Sequence, residues 1–157
     1  MKNCILLSHI HVYPEELFKH DILRFSIKHY KKHNPDVDLL LTGHGVRPPN
    51  DILEHCDYVH WEDKVDESEI GRGHPRLVDI GVKHAVEQGY FFMLKNRADS
   101  IIVTPKIIEQ CISVLKNEGR DLLVSYGTCD SNYWLGDLFT FCRPTLLKCA
   151  WDSEKWN

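Results

Sequence analysis

Short apolar runs alternate along this chain with segments whose apolar residues recur at helical spacing. Runs of that length bounded by turn residues suit strands buried on both faces, and amphipathic segments between them suit covering helices. The pattern therefore predicts βαβ units. Asn3 to Ile10 reads as a first buried strand. Pro14 opens a helix with Glu15 and Glu16 in its first turn. Phe18, Ile22 and Phe25 repeat at helical spacing, as do Leu23, Ile27 and Tyr30. Lys28, Lys31 and Lys32 crowd the far end before Asn34 and Pro35 stop it. Acid at the start and base at the end match the helix dipole, so one helix is expected from about Pro14 to His33.

Asp38 to Thr42 is a second strand closed by Gly43, His44 and Gly45, then a short helix ends near His55 and Tyr58 to Trp61 is a third strand. The acidic stretch from Glu62 to Glu69, ending in Gly71, Arg72 and Gly73, reads as a loop. A helix is expected from Pro75 to Gln88 with Val78, Val82 and Ala85 on one face and Gly89 just past its end. Tyr90 to Leu94 is a strongly apolar central strand. Thr104 and Pro105 start another helix, with Ile108, Cys111, Ile112 and Leu115 inward. Leu122 to Tyr126 and Asp137 to Phe141 are further strands, and Arg143 to Trp151 is a closing helix.

With 157 residues and 43% hydrophobic content, residues 1–157 fit one domain. The net charge of -4, without a run of five basic residues, argues against nucleic acid or an anionic membrane as partner. The first apolar stretch, Cys4 to Leu7, is interrupted by Ser8, His9 and His11. It is too short for a signal segment or a membrane span, and a cytoplasmic protein is expected. Six cysteines without a C-x-x-C pair read as free buried thiols. Composition leaves the oligomeric state open.

In parallel α/β sheets ligands sit beyond the carboxyl ends of the strands, which directs attention to the loops after Ile10, Thr42 and Leu94. The last carries Lys95, Arg97 and Asp99, which share one face if the chain stays extended. Two cations and one carboxylate suit a diphosphate. The cations offset its charge, the guanidinium forks onto two oxygens, and the carboxylate holds a divalent ion or a ribose hydroxyl.

The segment Ala85-Val-Glu-Gln-Gly-Tyr-Phe-Phe-Met-Leu94, followed by Arg97-Ala-Asp99-Ser-Ile-Ile-Val-Thr-Pro105, resembles the GT-A class of glycosyltransferases. There an apolar strand leads to Asp-x-Asp, an apolar pair and a Thr-Pro helix start. Asp99 matches the second Asp, and Arg97 stands in place of the first. The closer resemblance is to the WavE-type lipopolysaccharide-synthesis glycosyltransferases, on Arg76, Lys95, Arg97, Asp99 and the pair Gly136-Asp137 ahead of an aromatic strand. It is densest from Gly73 to Thr104 and from Leu135 to Trp151. It implies a GT-A-like, Rossmann-like, mostly parallel sheet flanked by helices on both faces, and transfer of a sugar from a nucleoside-diphosphate sugar to a hydroxyl of a glycan or glycolipid acceptor. Ser8, His9, Arg76, Lys95, Arg97 and Asp99 are the expected donor-binding residues, Asp99 the metal ligand and Asp137 the catalytic acid-base group. With Arg97 replacing a carboxylate, only weak dependence on Mn²⁺ or Mg²⁺ is expected.

Two other readings compete. A non-catalytic nucleotide-sugar-binding or scaffold protein would keep the same fold. His9 and His11, two apart on a strand, would point the same way and are similar to paired histidines that open metal-dependent hydrolase sites. His44 and His60 are further candidates without a supporting pattern.

Overall fold

The computed structural model describes the chain over residues 1–65, 75–129 and 132–150, with side chains other than those of His9, Pro75, 126–129, 132–138 and 149–150. In chain order the elements are β1 (Asn3–Val12), α1 (Phe18–His33), β2 (Asp38–Gly45), α2 (Asn50–Leu53), β3 (Tyr58–Glu62), α3 (Pro75–Glu87), β4 (Phe92–Arg97), α4 (Ile107–Glu118), β5 (Leu122–Cys129), β6 (Asn132–Cys142) and α5 (Pro144–Ala150). The described strands form one six-stranded sheet in the order β3-β2-β1-β4-β6-β5. β3, β2, β1 and β4 run parallel to one another, whereas β6 pairs antiparallel with both β4 and β5. The mostly parallel α/β sheet expected from the sequence is therefore present.

Period-two alternation in β1 distributes its side chains between two cores. Ile5 and Leu7 join Leu23, Ile27 and Tyr30 of α1 and Ile108, Cys111 and Leu115 of α4 on one face. Cys4 and Leu6 join Val78, Val82 and Ala85 of α3 and Leu147 of α5 on the other. Burial on both faces explains why these strands read as unbroken apolar runs. Helix α3 lies close on β1 because it carries Gly81 at the crossing, where a Cβ would come within 2.5 Å of Leu6 Cδ1.

Several local expectations change. The predicted helix over Pro14 to His33 is split into a 3-10 turn over Pro14–Glu16 and α1 proper from Phe18. Of the two apolar stripes read on α1, the sheet covers Leu23, Ile27 and Tyr30, leaving Phe18 59% and Phe25 58% exposed. One side of a helix fits one sheet face, and the stripe that also supplies Tyr30 is the one taken. The central strand runs over Phe92–Arg97 instead of Tyr90 to Leu94. Thr104 and Pro105 do not start a helix, because Lys106 adopts a left-handed conformation and α4 begins at Ile107. The strand expected from Asp137 to Phe141 is the second half of the longer β6, and Trp151 lies outside the described residues.

Candidate functional site

The strand order reverses at β1, which has β2 on one side and β4 on the other. In open α/β sheets the crevice beyond the carboxyl ends of the strands at such a reversal is where ligands sit, which makes the ends of β1 and β4 the candidate site. Irregular pairing marks the same place. Leu7 pairs with Leu41 but Ile10 pairs with Gly43, so β1 spends one more residue than β2 around Ser8 and His9. Such bulges re-aim side chains, and Ile10 and Val12 accordingly join the α1 core although Cys4 and Leu6 face α3.

On the α3 side of the sheet the lining turns polar at one row. Leu6 is in register with Leu40 and Lys95, and one step further Ser8 is in register with Arg97. Thr42 and His44 continue β2 beyond Leu40, and His44 is in register with His11 with the ring centroids 6.0 Å apart. Ser8, Thr42, His44 and Lys95 are all 0% exposed. Among the described residues the hydroxyls of Ser8 and Thr42 have no hydrogen-bond partner. Buried polar groups without partners cost free energy unless something answers them, and a ligand or an ordered water is one such answer. Lys95 is a floor group, wholly enclosed, whereas Arg97 is at the rim with its side chain 32% exposed.

Strand β4 ends at Arg97, so Lys95, Arg97 and Asp99 do not continue along one extended face as the alternation suggested. The chain turns instead. Ser100 N donates to Arg97 O at 3.1 Å, and Ala98 N donates to Ser8 O at 3.0 Å, fastening the turn to β1. The turn swings the Asp99 carboxylate back onto the guanidinium, with Arg97 Nε to Oδ1 at 2.9 Å and an Nη to Oδ2 at 2.6 Å. Beneath it the Asn96 amide donates to Ser100 O at 2.6 Å and to Tyr30 Oη at 2.9 Å.

Arg76 is not beside these residues. It forks onto Glu62 at the end of β3, at 2.5 and 2.6 Å. That strand lies three positions from β4, or about 14 Å at ~4.8 Å per strand. The pairing with Arg76 holds the Glu62 carboxyl down at about 2, and His60 adds to the effect at 3.2 Å. Arg76 thus flanks the far side of the crevice instead of joining Lys95 and Arg97. His11 faces the crevice too. Burial first, then the Lys19 ammonium, push its imidazole below the ordinary value, against the pull of Glu16 and Asp99.

The side chains of His9 and Asp137 lie outside the described residues. The backbone of Asp137 belongs to β6, two residues ahead of Phe139, which is opposite Asn96. A hard cation prefers several oxygens. Asp99 commits both of its own to Arg97, and among the described residues no group of three histidine, cysteine or acidic side chains could hold a metal ion.

Thr42, His44, Glu62, Tyr30 and Asn96 were not singled out as members of a donor site from sequence, His44 having been named only for the hydrolase reading. A signal existed for the first two: Leu39, Leu40 and Leu41 give way to polar Thr42 and His44 as β1 gives way to Ser8. Tyr30 carried no such mark, since at helical spacing with Leu23 and Ile27 it reads as core.

No protein-family model matches the chain, and no curated protein matches its sequence. Solved structures do match its shape. A 4-diphosphocytidyl-2C-methyl-D-erythritol synthase from Anaerococcus prevotii aligns with TM-score 0.62 and 8% identity over 99% of this chain and 77% of its own. A glycosyltransferase involved in glycosylation of the major capsid of PBCV-1 aligns with TM-score 0.55 and 10% identity over 97% of this chain and 66% of its own. A cytidylyltransferase from Leptospira borgpetersenii aligns with TM-score 0.51 and 15% identity over 95% of this chain and 63% of its own. The chain spans about two thirds to three quarters of the length of these proteins. No helix among the described residues is long and apolar enough to cross a membrane. At such low identity the likeness defines the fold alone, a mostly parallel α/β sheet shared with that synthase, that glycosyltransferase and that cytidylyltransferase.

Proposed function

We propose that the crevice between β1 and β4 binds a nucleoside-diphosphate sugar and that the protein transfers the sugar to a hydroxyl of a glycan or glycolipid acceptor, as in lipopolysaccharide synthesis. The observation that carries this reading is the placing of Arg97, buttressed by Asp99 and underlain by buried Lys95, at the point where the strand order reverses. Fixed cations there stabilise the departing diphosphate as charge develops on it, without reorganising during the reaction. In the transfer the acceptor oxygen bonds to the anomeric carbon, the bond from that carbon to the diphosphate breaks, and the acceptor proton passes to Asp137. Ser8 borders the donor side, His9 is a further proposed donor contact, and Arg76 is proposed to address the donor from the β3 side. Asp99 holds Arg97 or a sugar hydroxyl. Any Mn²⁺ or Mg²⁺ would rest largely on the diphosphate itself, so metal dependence is weak.

The likeness to cytidylyltransferases favours a second reading, transfer of a nucleotidyl group to a sugar phosphate; a binding protein without catalysis is a third. Calorimetry with nucleoside diphosphates against the corresponding monophosphates tests the site, and equal weak affinity for both would contradict it. Turnover separates the rest. Sugar release from nucleotide sugars supports glycosyl transfer, pyrophosphate release from CTP with a sugar phosphate supports nucleotidyl transfer, and neither product supports binding alone. Under the glycosyl reading Asp137→Asn keeps donor affinity within about twofold and lowers turnover by about 10²-fold or more. A variant that fails to fold would assign Asp137 a structural role.

A further inference from the structure

The turn that presents Arg97 and Asp99 is fastened from the opposite face of the sheet. Asn96 lies between Lys95 and Arg97 in sequence, so the alternation of β4 sends its side chain away from the crevice, toward α1. There it is 1% exposed, and so is Tyr30. The Tyr30 hydroxyl accepts two hydrogen bonds, one from Asn96 Nδ2 at 2.9 Å and one from Ile102 N at 3.2 Å. Asn96 Nδ2 also donates to Ser100 O at 2.6 Å. One phenol oxygen on α1 therefore ties together the strand before the turn and the chain after it. The amide of Asn96 closes the turn between them.

Resting on the proposed donor site, we infer that Tyr30 and Asn96 are positioning residues for diphosphate recognition, setting the place of the Arg97 and Asp99 pair without touching the ligand. Nothing in hydrophobic burial requires this arrangement. A phenylalanine would fill the position in α1 equally well, and the hydroxyl is the part whose bonds lead to the turn. Asn96 is likewise a polar group on a core-facing position of β4, beside Leu94 and opposite Phe139. A buried hydrogen-bond network fixes geometry more sharply than apolar packing does. A guanidinium that recognises two phosphate oxygens at once is sensitive to a misplacement of about 1 Å.

Tyr30→Phe and Asn96→Ala test this in two readouts. The first is amide exchange, which needs no ligand. Tyr30→Phe is expected to speed exchange at Ile102 and Ser100 by about tenfold while leaving Tyr90, which donates to Ala85 O outside the turn, within about twofold. The second is affinity for whichever of ADP, CDP, GDP and UDP binds the wild type tightest. Each variant is expected to weaken it by about fivefold, and by less than about twofold when Arg97 is already alanine, because the effect runs through that side chain. Local exchange with unchanged affinity, a uniform rise in exchange over the whole molecule, or equal loss in the Arg97→Ala background would each overturn the inference. If none of the four diphosphates binds the wild type, the donor-site reading fails and the positioning role falls with it, whereas binding that ignores Tyr30 removes the positioning role alone. Should Asn96→Ala not fold, Tyr30→Phe decides, since it preserves the buried ring.

Discussion

Two arginines at this end of the sheet grip carboxylates in forked pairs, and the pairs have different uses. Arg97 and Asp99 sit on one turn, two residues apart, so the pair presets a guanidinium that a ligand can approach. Arg76 and Glu62 join α3 to edge strand β3, so that pair also fastens the helix to the sheet. The second pair has a pH signature. Arg76 keeps the Glu62 carboxyl at about 2 against an ordinary 4.5, so the folded chain binds that proton less readily than the unfolded one. Its contribution to stability is complete above about pH 4.5 and is lost as the pH falls toward about 2. Glu62→Gln should therefore lower the thermal midpoint at neutral pH, with the difference from wild type shrinking through that acid window. A constant difference at all pH values would mean that the pair contributes through packing instead of charge.

At the scale of elements, the close crossing of α3 over β1 makes a sharp test of the layer packing. Alanine is favoured over glycine within a helix by about 1 kcal/mol, so Gly81→Ala would stabilise α3 in isolation. Here its Cβ would meet Leu6 Cδ1 at 2.5 Å and Cδ2 at 2.8 Å, and Leu6 is wholly buried between sheet and helix. Overpacking of that kind costs about 1–3 kcal/mol, so net destabilisation by about 1 kcal/mol is expected in urea unfolding; stabilisation would show that α3 can lift off the sheet. The elements most legible in the sequence are those whose chemistry is local. β1, β2 and β4 announce themselves as apolar runs, and α3 by its Val78, Val82 and Ala85 stripe. The exposed Phe18 and Phe25 show the limit, since two apolar stripes compete on α1 and only the sheet decides between them. The site divides the same way. Lys95, Arg97 and Asp99 are neighbours in sequence and were visible as a group, although the turn that folds Asp99 back was not. Ser8 meets Arg97, and Thr42 and His44 join the same end of the sheet, only because β1 lies between β2 and β4, and Tyr30 reaches Asn96 across 66 residues of chain.

For the whole molecule, the net charge of -4 gives a polyanion no general attraction, so the proposed recognition of a diphosphate calls for a few fixed cations where the sheet opens. The strand order concentrates them. It sets Arg97 at the rim and Lys95 beneath it on β4, and leaves Arg76 on the far side of β1 and β2. A turn with two carboxylates would recruit a metal to meet phosphate charge, whereas here Arg97 stands two residues before Asp99. Arg97 is therefore expected to offset more of the phosphate charge than any added ion. The most direct measurement is the affinity for a nucleoside diphosphate, by calorimetry, with Mn²⁺ and with excess chelator, for wild type and Arg97→Ala. Chelation is expected to weaken wild-type binding by less than about tenfold, or about 1.4 kcal/mol, and Arg97→Ala to weaken it by more. The reverse order, strong loss on chelation and little loss in Arg97→Ala, would show that a metal carries the phosphate and would contradict the central claim.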